Sequence, residues 1–118
     1  MRYLGLIAVV FLTVSAAAAA PGAPEAKSRV EIAEQAYTLT AAMYQNGMTQ
    51  IEDVYRWSVR WLDSAGPATV KAHLQRMQTL EQKAQSRFAA GTAPKTDALA
   101  AAYFRAEAEA WVAGKRNP

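Results

Sequence analysis

After its first twenty residues the chain places apolar side chains at helical spacing almost throughout. Nowhere do they alternate long enough to make a strand. From Glu25 to Asn46 there is no glycine or proline. At about 100° per residue, Val30, Ala33, Tyr37, Ala41 and Tyr44 fall on one line. Ile32, Ala36, Leu39 and Met43 widen it to an arc of roughly 200°, which suits a helix packed against two neighbours. Gly47 stops this helix. Thr49 followed by Glu52 is a capping-box pattern and predicts that a second helix starts at once. Ile51, Val54, Tyr55, Ser58, Trp61 and Leu62 line one of its faces, while Arg56, Arg60 and Asp63 point away.

"DSAGPA" is the next break: Gly66 ends one helix and Pro67 suits the first turn of another. The third helix is expected from about Pro67 to Ala90, with a narrow stripe of Val70, His73, Leu74, Met77, Leu80, Ala84 and Phe88. Gly91 closes it. A fourth, from about Lys95 to Ala113, is rich in alanine, which favours helix and lets a neighbouring backbone approach closely. Its expected inner face is Leu99, Ala102, Tyr103, Ala106, Ala110 and Ala113, with Phe104 and Trp111 on a second apolar line beside it. Four helices joined by short turns must be antiparallel neighbours. The expected fold is therefore all-α, two helical hairpins (about 25–65 and 67–114) in an up-down-up-down bundle or coiled-coil-like arrangement, followed by a frayed tail at 115–118.

One small pattern is written twice. Tyr44 and Phe88 each stand three positions before a glycine, Gly47 and Gly91, and an aspartate, Asp53 and Asp97, follows six positions after it. Each element has a physical reason. The aromatic residue covers the turn, the glycine supplies the backbone geometry, and the aspartate meets the positive end of the next helix dipole. The segments "MYQNGMTQIEDVYRW" and "RFAAGTAPKTDALAAAYFRAEAE" resemble the hairpin signature that outer-membrane efflux proteins, the TolC-like family, carry once in each structural repeat. The resemblance implies a coiled-coil hairpin whose glycine turn meets the helical hairpin of an adaptor protein. The contact residues it implies are Tyr44, Gly47, Met48, Asp53, Phe88, Gly91, Thr92 and Asp97. Where that family has Ser or Thr three residues after the glycine, this chain has Gln50 and Pro94. The caps are then expected at Thr49, and at Thr92 or Thr96. The family's channel also needs β-strands between its helical repeats, and here only "DSAGPA" separates them. This chain does not build that barrel by itself.

The first twenty residues change the cellular setting. A basic start at Arg2, an apolar run from Leu4 to Val14 and small residues from Ser15 to Ala20 have the layout of a secretory signal peptide. Cleavage is expected after Ala18, Ala19 or Ala20, with residues 21–24 as a linker. The apolar run is short for a membrane span. Export to the periplasm or beyond is the implied localisation. The chain has no cysteine, so it needs no disulfide and carries no lipid on a thiol. Without Arg2, twelve basic residues face ten acidic ones, scattered except for Lys115 and Arg116. A clustered basic face is missing, and nucleic acid is not an expected partner.

The search for chemistry yields little. His73 is the sole histidine and lies on an apolar stripe, where a packed histidine held by a neighbouring polar group is the simplest reading. No cysteine and no Glu-x-x-His pair accompany it, so neither a metal nor another cofactor is expected. Met43 and Met77 fit core positions and Met48 a turn. Ser58 and Ser86 lack a nucleophile elbow. The adjacent Glu52 and Asp53 diverge by about 100° on a helix. No enzymatic activity and no small-molecule substrate are expected. The first functional reading is an exported helical interaction module that docks on another helical protein of the envelope. The wide apolar arc leaves self-association open. A second reading is a small stress chaperone or metal-responsive binder, although "LTAAMYQ" has Met43 where the usual Leu-Thr-x-x-Gln signature needs glutamine. A third is a structural domain of unknown partner.

Overall fold

The structure is a computed structural model that describes residues 27–116, so the expected signal peptide and linker lie outside the described residues. The fold is all-α. Helices α1 (Arg29–Gln45) and α2 (Ile51–Ala65) form one antiparallel hairpin, and α3 (Val70–Ala89) and α4 (Lys95–Val112) form a second. Pro67–Thr69 makes a single 3-10 turn between them, so α3 proper begins three residues later than Pro67 suggests. Among the described residues there is no strand, and no helix is long and apolar enough to cross a membrane.

The helix ends follow from local chemistry. α1 begins at Arg29 rather than near Glu25, because Ser28 and Glu31 form a reciprocal capping box. The Glu31 amide donates to Ser28 Oγ at 3.2 Å, and the Ser28 amide donates to Glu31 Oε1 at 3.0 Å. At the far end Gly47 takes φ +71°. The Met48 amide reaches back to Met43 O at 2.8 Å, and the Gly47 amide to Tyr44 O at 3.0 Å. Gly91, at φ +75°, repeats this closure: Thr92 N to Arg87 O at 2.8 Å and Gly91 N to Phe88 O at 3.0 Å. Both are Schellman motifs. The pair of bonds recurs at the end of α4, where Lys115 N reaches Ala110 O and Gly114 N reaches Trp111 O. An aromatic residue three positions before the glycine thus ends three helices, two in hairpins and one at the end of the helical body.

The expected caps after the two turns are not formed. α2 begins at Ile51 behind Gln50, with no side-chain cap. Thr49 stands one residue too early for the box with Glu52, and its hydroxyl instead donates to Asp53 Oδ2 at 2.6 Å. α4 begins behind Pro94, also uncapped. Thr92 donates to Arg87 O, and Thr96 already lies inside the helix. The first-turn carboxylates Asp53 and Asp97 remain to meet the positive helix ends.

The core fills as the stripes of α2 and α3 require: Ile51, Val54, Leu62, Met77, Leu80 and Ala84 are buried. α1 turns Ala33 and Tyr44 fully inward, while Ile32 and Leu39 at the edge of its arc stay exposed. α4 corrects the sequence reading. Its inner face is Ala101 and Ala108 with Phe104 beside them, and Leu99, Tyr103, Ala106 and Ala113 face outward. The second apolar line is the one that packs. Phe104 stacks on Tyr55 with ring centroids 4.1 Å apart, and Trp111 stacks on His73 at 5.3 Å. Alanine surrounds much of α4, so its large aromatic residues decide which way it turns. Arg116, expected in a frayed tail, lies over Trp111 and pairs with Asp63 at 2.7 Å.

Replacing Gly47 or Gly91 by alanine forces a side chain into left-handed backbone, which costs about 1–2 kcal/mol. Urea denaturation of Gly47→Ala and Gly91→Ala is expected to show losses of that size. An unchanged midpoint in both would contradict the turn geometry.

Candidate functional site

The two glycine turns lie side by side at one end of the molecule. The bridge between them is Arg87, which the sequence reading missed. Its Nη1 donates to Tyr44 O at 2.7 Å, on the last turn of α1. Its Nη2 donates to Thr92 O, and its Nε to Thr92 Oγ1 at 3.4 Å. The guanidinium also lies over the Tyr44 ring, 4.7 Å from its centroid. A Cβ added at Gly47 would sit 3.6 Å from Arg87 Nη2, which shows how closely the second turn approaches the first. The available signal was a basic residue in the last turn of a helix, where it complements the negative end of the dipole.

Tyr44 completes the link. Its ring is buried and its hydroxyl donates to Asp97 Oδ2 at 2.8 Å, across to the first turn of α4. Burial, and then the hydrogen bond and charge of Asp97, push the phenol up to about 12. The aromatic residue of the first pattern is therefore tied to the aspartate of the second. The reverse pairing is absent: Phe88 has no hydroxyl and is 44% exposed. Asp53 is held instead by Thr49 and by Arg56 at 2.9 Å, and the Thr49 hydrogen bond chiefly lowers its carboxyl. Of the expected contact residues, Tyr44, Gly47, Thr92 and Asp97 are thus gathered around Arg87. Asp53 serves its own helix start. Met48, Phe88, Gly91 and Thr92 are exposed at this end, with Met48 the barest at 68%.

A second polar centre lies in the core, where α2, α3 and α4 meet. His73 is fully buried. Its Nδ1 lies 2.8 Å from Ser58 Oγ, which also receives Arg76 Nε at 2.6 Å. Arg76 Nη2 donates to Ser58 O at 3.1 Å. A guanidinium only donates, so Ser58 Oγ accepts from Arg76, while the direction of its bond with Nδ1 follows the ring tautomer. The other ring nitrogen, Nε2, is buried without a partner. Arg76 has no carboxylate within ion-pair distance among the described residues; Trp61 and Tyr37 flank it, at 4.2 and 5.4 Å from their ring centroids. Cation–π contact offsets part of its desolvation. This arrangement holds the two hairpins together, and a shallow cleft of about 310 Å³ opens to solvent beside Arg76, Tyr37 and Trp61. Among the described residues no group of three His, Cys, Asp or Glu side chains could hold a metal ion.

Scans against protein-family models, curated proteins and solved structures matched nothing to this chain.

Burial, followed by the charges of Arg76 and Arg116, lowers the His73 pKa from 6.5 to about 4. The unfolded chain binds this proton more readily than the folded one. The contribution is therefore present above pH 6.5 and is lost as pH falls towards 4, by about 3 kcal/mol in all. Urea midpoints measured across that window are expected to fall steeply for the native chain and less steeply for His73→Leu. Tyr44→Phe, which writes the second pattern's aromatic into the first, is expected to cost about 1 kcal/mol by removing the bond to Asp97.

Proposed function

We propose that this chain is an exported, non-enzymatic helical interaction module whose paired-turn end docks on another helical protein of the cell envelope. The observation that carries this reading is the juxtaposition of two identically closed turns, locked to each other by Arg87 and Tyr44, with Met48 and Phe88 left bare beside them. A rigid end with small backbone turns and a few exposed apolar side chains suits recognition of another helix end or hairpin tip. The polar groups there are engaged with one another, so contact rather than bond chemistry is the work they support. The resemblance of the two turn segments to the hairpins of outer-membrane efflux proteins points in the same direction, towards an adaptor-like helical partner. The leader-like first twenty residues suit a periplasmic or secreted setting.

Site-specific photocrosslinkers test this reading in intact cells. A probe at Met48 is expected to capture a discrete helical envelope protein, and a probe at Ala68, in the connection at the opposite end, is expected to capture none. With that partner purified, Met48→Asp combined with Thr92→Asp is expected to weaken binding about tenfold or more, which corresponds to at least ~1.4 kcal/mol. Equal capture from both ends, or an affinity insensitive to the double substitution, would overturn the proposal.

A further inference from the structure

The first hairpin docks on the second through Tyr55 and Ser58. Tyr55 stacks on Phe104 and donates to Glu107 Oε1 at 2.6 Å, and Ser58 meets His73 and Arg76. The two turns are related by a shift of 44 positions, Gly47 to Gly91. Applied to the partners of Tyr55 and Ser58, that shift turns Phe104 into Arg60, Glu107 into Asp63, His73 into Arg29 and Arg76 into Ile32. Those four residues line one groove of about 270 Å³ on the first hairpin, together with Ala33 and Trp57. Only α1 and α2 contribute to its lining. The same shift turns Tyr55 into Leu99, Ser58 into Ala102 and Tyr44 into Phe88. Leu99 is 59% exposed, and Phe88 and Tyr103 are exposed near it in sequence register. Each hairpin thus has a face with protruding apolar side chains and a face with a groove. Inside the chain one of each is used.

We infer that the unused pair meets between copies: the Leu99–Ala102 face of one chain docks in the Ile32–Trp57 groove of a second copy, repeating the internal hairpin contact head to tail. The occupant is identified by continuity with the internal interface, since Tyr55 and Ser58 already fill the corresponding surface of the second hairpin. The atoms exposed in the groove are mostly apolar, as Leu99 and Ala102 require, with the charged groups of Arg29, Arg60 and Asp63 among its lining residues. Alanines at 102 and 106 let the docking helix approach closely. A head-to-tail contact extends, or closes if its rotation allows. It uses a single hairpin face, smaller than a standard stable interface of ~1,600 Å², so association in the micromolar-to-millimolar range is expected.

The test is sedimentation of the chain, purified as the cell leaves it, across that concentration range. The native chain is expected to self-associate. Leu99→Arg, whose new charge meets Arg60 and an Asp63 already paired with Arg116, and Ile32→Arg, which fills the groove, are each expected to remain monomeric. Both positions are exposed, so circular dichroism should show native folds; Ala102→Arg replaces Leu99→Arg should the latter not fold. Mixing the two variants leaves one intact face on each and is expected to restore a one-to-one complex that grows no further. A native chain that stays monomeric, association that survives both substitutions, or a mixture that does not pair would each overturn the inference.

Discussion

Arg87 joins two helix ends that would otherwise repel. In an up-down-up-down arrangement α1 and α3 run in the same direction, so their negative C-terminal poles arrive together at the paired turns. One guanidinium, placed on the last turn of α3, donates to a carbonyl at the end of α1 and to another just past α3. The same end holds the N-termini of α2 and α4, where Asp53 and Asp97 supply the complementary charge. Four helix poles are thus neutralised within a small volume by three side chains, with Tyr44 carrying the connection from Arg87 to Asp97. This end thus ties the two hairpins to each other at one extremity.

Away from the turns a different kind of contact takes over. Within each hairpin the helices approach closely, above all between α3 and α4, where Ala84, Ala101 and Ala108 are completely buried. Between hairpins the distance is spanned by large side chains, Tyr55 to Phe104 and Arg76 to Trp61 and Tyr37, while Trp111 stacks on His73 within the second hairpin. The Ser58–His73–Arg76 cluster makes this joint specific, since only one alignment of α2 on α3 satisfies all three side chains. It also leaves the ring nitrogen Nε2 of His73 without a partner. A buried polar atom left unpaired costs roughly 1–3 kcal/mol, so this joint favours a unique alignment over maximal stability.

Much of the fold could be read from residues whose effects are local. Gly47, Gly91 and the "DSAGPA" break fix helix ends through backbone geometry, and the stripes of α2 and α3 are interrupted by enough polar residues to point one way. α4 could not be read so, because alanine on all sides makes its periodicity degenerate, and its orientation is chosen by rings on other helices. The Thr49 cap failed for a different reason, since α2 starts behind Gln50 and leaves Thr49 one residue too early. At the candidate site, the turns and their aromatic and acidic residues were legible. Arg87 and the crossing from Tyr44 to Asp97 were not, because residues 53 positions apart in sequence meet only after both hairpins exist. Ser58 beside His73 is the same case in the core.

The crossing contacts also bear on the order in which the chain can assemble during synthesis. Tyr55 finds its stacking partner and its acceptor only in α4, at Phe104 and Glu107, and Tyr44 finds its acceptor at Asp97. While α3 and α4 are still within the ribosome, the first hairpin has no cover for these rings. A nascent chain of that length therefore presents an uncovered aromatic surface to whatever binds unfinished chains.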